Sequence, residues 1–252
     1  PLSIIRMGNV EATQMLSDKI HKELITNAGF FGDLQDVKKW KSMFFKSLLS
    51  ADVNLRVYTC DSFLVCDMVL SKLNVWIPTL PYIEKVEFWF SLLNAIKTDK
   101  IGFVSFFKKD MERQVSKLDW IYPARKDKAY CRKDTSNWKF IFSENTIEGS
   151  EPKDKSWFDV LDDLVARCLE QDCEIYFISC GCYGLILCDR LKAAGKKAIY
   201  VGGLLQLMFG LKGKRWDDRK EVSDYYNKYW VYPETKPKNW DKIEGGCYWG
   251  DK

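Results

Sequence analysis

The chain has 252 residues, 39 Lys and Arg against 35 Asp and Glu, a net charge of +4 and a single histidine. One histidine excludes a His-rich zinc centre, a two-His iron site and any triad that His21 could not serve alone, and a charge this close to balance speaks against a nucleic-acid partner. At 46% hydrophobic, 29% charged and 15% aromatic, the composition is that of a globular protein long enough for one large domain.

In chain order, Leu2 to Met7 reads as a strand, and Asn9 or Glu11 opens a helix running to about Thr26. A second helix carries Leu34, Val37, Trp40, Phe44, Phe45 and Leu48 near 3.6-residue spacing. Asn54 to Tyr58 is a strand, SFLVCDMVLSKL a helix, and Lys72 to Ile77 a strand closed by Pro78 and Pro81. Tyr82 to Ile96 reads as a long helix, Ile101 to Phe107 as a buried strand with a helix after it, and Trp138 to Phe142 as a further strand. The polar stretch from Ala124 to Ser136 reads as a solvated loop or exposed helix.

The last hundred residues carry the clearest pattern. SWFDVLDDLVARCLEQ is an amphipathic helix capped by Ser156, EIYFIS a strand, CYGLILCDRLKAAG a helix ending at Gly195, and KAIYVGG a strand. This β-turn-α-β succession builds parallel sheets, so the expected fold is α/β: a Rossmann-like, mainly parallel sheet flanked by helices, as one domain over residues 1–252. Nine cysteines, with no C-x-x-C pair and several in the apolar run IYFISCGCYGLILC, read as reduced buried thiols of a cytoplasmic protein. That run has fourteen residues and is too short to span a bilayer. No secretory signal pattern is visible, and Pro1 followed at once by a strand reads as a domain cut from a longer polypeptide.

Four segments could carry chemistry. Arg6-Met7-Gly8-Asn9-Val10-Glu11 ends the first strand, where open α/β sheets place ligands. Gly8 admits close backbone approach, Arg6 is a fixed cation, and Asn9 with Glu11 offers oxygens to Mg²⁺ or Mn²⁺; alternatively Asn9 caps the helix and Glu11 complements its dipole. Ser179 to Gly184 is a glycine turn between strand and helix, whose backbone N–H groups would attract a phosphate, or whose Gly181 and Gly184 merely permit tight strand-helix packing. Gly202, Gly203, Gln206, Lys214, Arg215, Trp216 and Asp217 combine glycines, cations, an aromatic and an acid in the manner of a diphosphate cradle; as a charge run alone the segment would be solvated surface. The tail from Tyr225 to Trp249 holds five Tyr and three Trp; it is expected to pack back over the domain and to bring Glu244 against aromatic walls as a base. His21 falls mid-helix among Lys and Glu, a surface or core-edge position.

Together these segments resemble a family of bacterial and viral proteins with the GT-D type glycosyltransferase fold. The resemblance rests on Arg-x-Gly-Asp/Asn-x-Glu, here Arg6 to Glu11, and Gly-x-Tyr-Gly, here Gly181 to Gly184. It rests further on Gly-Gly-x-x-Gln-x-x-Phe-Gly-x-x-Gly-Lys-Arg-Trp, here Gly202 to Trp216, and Glu-Gly-Gly-Cys-Tyr-Trp, here Glu244 to Trp249. It implies a hexosyltransferase-like enzyme moving a sugar from a nucleotide donor, UDP-linked by expectation, to a glycan acceptor. Donor contacts would come from Arg6, Gly8, Asn9, Gly181, Tyr183, Gly184, Gly202, Gly203, Lys214, Arg215 and Trp216, and a base from Glu244 or Asp217. A divalent ion, Mn²⁺ or Mg²⁺, would lie on Glu11 and Asn9, where Asn9 replaces the family's more usual Asp and weakens the metal site. Two other classes stay open: a non-catalytic glycan- or nucleotide-binding module, and another Rossmann-like enzyme of NAD-dependent or methyl-transfer type. The second lacks the acidic residue that normally follows a dinucleotide glycine turn, since KAIYVGG ends in glycines.

Overall fold

The computed structural model describes residues 1–56, 60–81, 85–123, 134–147 and 150–250. Among the described residues, seven strands, β1 (Leu2–Arg6), β2 (Val53–Arg56), β3 (Thr79–Pro81), β4 (Ile101–Ser105), β5 (Lys139–Phe142), β6 (Ile175–Ser179) and β7 (Lys197–Tyr200), form one sheet in the order β3-β2-β1-β7-β6-β4-β5. Every neighbouring pair is parallel. All five residues of β4 are buried, as a strand covered on both faces requires.

The helices are α1 (Asn9–Leu16), α2 (Lys22–Thr26), α3 (Leu34–Ser50), α4 (Cys60–Lys72), α5 (Val86–Ala95), α6 (Lys108–Gln114), α7 (Leu118–Ile121), α8 (Trp157–Leu169), α9 (Gly184–Ala193), α10 (Leu205–Met208), α11 (Lys214–Asp217) and α12 (Lys220–Ser223), of which α7, α10, α11 and α12 are single turns. Asp33 with Asp36 closes a capping box on α3, and Ser156 with Asp159 does the same on α8. One apolar core joins Ile5, Val104 and Ile178 of the sheet to Trp40, Phe44, Leu161 and Leu187 of α3, α8 and α9. The other joins Phe103, Phe177 and Ile199 to Trp89, Met111 and Leu205 of α5, α6 and α10. The connections leaving β1 and β6 thus lie on one face, and those leaving β4 and β7 on the other. Where neighbouring strands send their chains to opposite faces, a crevice opens at their carboxyl ends; here this happens at β1/β7, β7/β6 and β6/β4.

Two elements differ from the sequence reading. The helix expected from Asn9 to Thr26 is interrupted after Leu16. Ser17 is extended, and the buried Gln14 side chain takes over the bonding, donating to the Lys19 carbonyl at 2.9 Å and accepting from the His21 N–H at 2.7 Å. His21 therefore sits at the N-cap of α2 and not mid-helix. The strand expected over Lys72 to Ile77 is instead the end of α4 and a loop. Asn74 adopts left-handed φ 52°, and the Val75 N–H returns to the Leu70 carbonyl while that of Asn74 returns to Ser71, a helix-terminating pair. The strand itself, β3, lies at the sheet edge, where proline is tolerated.

The C-terminal tail packs back as expected. The Trp249 ring is 1% exposed, 5.6 Å from Phe107, and donates to the Thr235 carbonyl at 2.8 Å. Val57, Tyr58, Tyr82 and most of the polar stretch, residues 124–133, lie outside the described residues. Burial raises the thiol pKa of Cys66 to about 11 and of Cys168 to about 12, so these act as small apolar groups. Among the described residues, no helix is long and apolar enough to cross a membrane.

Candidate functional site

A cavity of about 320 Å³ opens at the carboxyl ends of β1, β4, β5, β6 and β7. Its size and place are those of a small-ligand site in an open α/β sheet. The tail and α11 form its outer wall through Arg215, Trp216, Glu244, Tyr248 and Trp249.

The turn after β1 supplies the first polar groups. Gly8, and not Asn9, is the N-cap residue of α1, and Asn9 is exposed. The Glu11 carboxylate folds back over Gly8, so closely that a Cβ there would lie 2.1 Å from Oε2. Glu11 is 7% exposed. Burial raises its pKa, while backbone bonding and Arg6 lower it and Glu244 raises it again. Arg6 and Glu244 therefore share the cavity's electrostatic field with Glu11.

The second wall is the turn after β7. Gly202 has φ +71°, and a Cβ on it would lie 2.6 Å from Nη1 of Arg6. Glycine is required for the left-handed backbone, and its bareness lets the Arg6 guanidinium lie against the chain. Gly202 and Gly203 open a 3-10 turn, where the first amides have no intrahelical acceptor. The β6 turn is less available. Gly181 is left-handed at φ +54°, but the Cys182 N–H donates to the Ala28 carbonyl at 2.9 Å and the Tyr200 hydroxyl donates to the Gly181 carbonyl at 2.8 Å. Tyr183 is 2% exposed, stacked 4.5 Å from Trp157 at an interplanar angle of 3°.

The outer wall centres on Arg215. Its guanidinium carbon lies 5.3 Å from the Trp216 ring centroid and 5.0 Å from that of Tyr248, and its Nη1 is 3.6 Å from Glu244 Oε2. Burial alone would lower the Arg215 pKa; Tyr248, Cys247 and Glu244 together hold it above the ordinary value. Gln206, 2% exposed, anchors this wall by donating to the carbonyls of Lys212 at 3.0 Å and Tyr248 at 3.2 Å.

Of the residues singled out from sequence, Arg6, Gly8, Asn9, Glu11, Gly181, Tyr183, Gly202, Gly203, Arg215, Trp216 and Glu244 all line the cavity. Gly184, Lys214 and Asp217 are not among its lining residues. A Cβ on Gly184 would meet the Tyr200 ring at 2.5 Å, so that glycine serves helix-strand packing. Lys214 is exposed, and Asp217 accepts from the Tyr232 hydroxyl at 2.7 Å. Trp216 is 3% exposed and carries Arg215 over its ring, a platform for the cation more than a free stacking surface. The sequence reading missed Arg219, Tyr200 and the loop from Ser143 to Ile147, all of which line the cavity. The β5 loop had a usable signal, because it follows a strand in the same parallel sheet.

Among the described residues, no group of three or more His, Cys, Asp or Glu gathers where it could hold an ion. Glu11 and Asn9 both line the cavity, where each could offer a side-chain oxygen to a divalent cation. The chain matches no protein-family model, no curated protein sequence and no solved structure.

Proposed function

We propose that the cavity binds a nucleoside-diphosphate sugar and that the chain transfers the sugar to a hydroxyl of a glycan acceptor. The observation that carries this reading is the pair of guanidinium groups, Arg6 from β1 and Arg215 from α11, lining one cavity with the amides of the Gly202 turn. Two forks and a glycine turn are a diphosphate-binding set. The four segments of the family resemblance supply the sugar half of the proposal.

In the reaction, the acceptor hydroxyl oxygen attacks the anomeric carbon as its bond to the diphosphate oxygen breaks. Glu244, the carboxylate on the outer wall, takes the hydroxyl proton. Arg6, Arg215 and the turn amides receive the charge that develops on the departing diphosphate. Asp217 is assigned no part, since its carboxylate is bonded to Tyr232 outside the cavity lining. Glu11 with Asn9 would hold a divalent ion against the diphosphate, which would supply further neutralisation of the leaving group.

The test is a panel of UDP-, GDP- and CDP-sugars with Mn²⁺, read by calorimetry and by release of free nucleotide. Saturable binding of one nucleotide class, with slow donor hydrolysis, is expected. Saturable binding of a dinucleotide or of S-adenosylmethionine, and of none of the panel, would replace this reading. Tight donor binding with no turnover on any acceptor would favour the binding-module alternative, for which the neutral Asn9 at the metal position is the specific support.

A further inference from the structure

We propose that Arg215 is a positioning residue for Glu244: it holds the carboxylate until a diphosphate takes the guanidinium, so that donor binding releases the base. The inference rests on the nucleotide-sugar reading and adds to it an order of events, donor before acceptor. Arg215 lies on the outer wall against the Trp216 and Tyr248 rings. Its charge is met there by Glu244 at 3.6 Å. A carboxylate and a diphosphate oxygen are alternative partners for one guanidinium fork, and the diphosphate carries more charge. The two therefore compete for the same guanidinium.

The backbone at Glu244 suits such an exchange. Glu244 is left-handed at φ 47°, uncommon for a residue with a side chain, and Gly245 and Gly246 follow at φ 66° and 73°. A Cβ on Gly245 would touch nothing within 4 Å, so there is open space beside the residue that follows Glu244, while Ile243 and Gly246 on either side are buried. After release, the carboxylate keeps a second partner on its own segment, since the Cys247 thiol donates to Glu244 Oε2 at 3.3 Å. The base thus remains at the cavity rim, where an acceptor arrives after the donor is seated.

The experiment titrates UDP and inorganic pyrophosphate, with Mg²⁺, into the wild type, Glu244→Gln, Arg215→Ala and the double variant. Glu244→Gln keeps the side-chain shape, and its melting temperature serves as a folding control. Removing a half-exposed competitor should tighten both ligands by about two- to fivefold. In the Arg215→Ala background the same change should have no effect, because the guanidinium that the two anions share is gone. A general field effect of one fewer negative charge would instead persist in that background, and that outcome overturns the proposal, as does an unchanged or weakened affinity in Glu244→Gln. If pyrophosphate shows the coupling and UDP binds no better than pyrophosphate, the exchange stands and the nucleotide reading falls. If neither ligand binds the wild type, both fall.

Discussion

Arg215→Ala should weaken nucleoside-diphosphate binding by about 2–3 kcal/mol, roughly 30- to 150-fold, the range for losing hydrogen bonds to a charged group in a partly desolvated site. The backbone should be unaffected, because the bonds holding this segment to the tail run from the Lys214 and Arg215 N–H groups to the Trp249 and Cys247 carbonyls and survive truncation. Lysine at this position keeps the charge and loses the planar fork, so it should recover only part of the affinity. Lys214→Ala is the informative comparison. It removes a neighbouring cation that is exposed and not among the cavity's lining residues, and should change affinity less than about twofold, as surface charges do. Equal losses at the two positions, measured by calorimetry at one salt concentration, would move the diphosphate out of the cavity.

Trp157→Ala should lower folding stability by about 3–5 kcal/mol, the range for deleting a buried tryptophan. The ring is 1% exposed and sits parallel to Tyr183 at 4.5 Å, with Phe30 and Phe158 at 5.5 and 5.4 Å. Its indole N–H donates to the Cys182 sulfur at 3.2 Å. This cluster backs the β6 turn, so its loss should loosen the cavity as well as the core. Such a loss is a large share of the ~5–15 kcal/mol that holds a typical domain, and Trp157→Phe provides a milder version. Phenylalanine keeps apolar volume and removes the N–H, and should cost about 1–2 kcal/mol. Urea denaturation monitored by circular dichroism measures both; a loss below about 1 kcal/mol for the alanine variant would contradict the packing described, given that range.

The parallel sheet was legible because β4, β6 and β7 are short apolar runs separated by helix-period patterns, and Ser156 announces α8 as its cap. The break between α1 and α2 was not legible. It depends on a buried Gln14 whose amide finds its partners only when the chain folds back. In the same way Leu73, Val75 and Ile77 alternate as a strand would, yet Asn74 has already turned the chain out of a helix.

At the site, residue types were easier to read than directions. Arg215 and its neighbours form one helical turn, on which residues three apart share a side. Lys214 and Asp217 therefore lie together, away from the cavity that Arg215 lines. Sequence shows three cations and two acids but not the phase of the turn. The Gly202 turn was legible for the opposite reason, because backbone conformation and close approach both demand glycine there.

The most direct measurement of the central claim is a crystal structure with UDP and Mn²⁺. The diphosphate is expected between Arg6 and Arg215, against the Gly202 turn, with the Arg215–Glu244 pair broken and the ion on Glu11. UDP bound away from both guanidinium groups would contradict it.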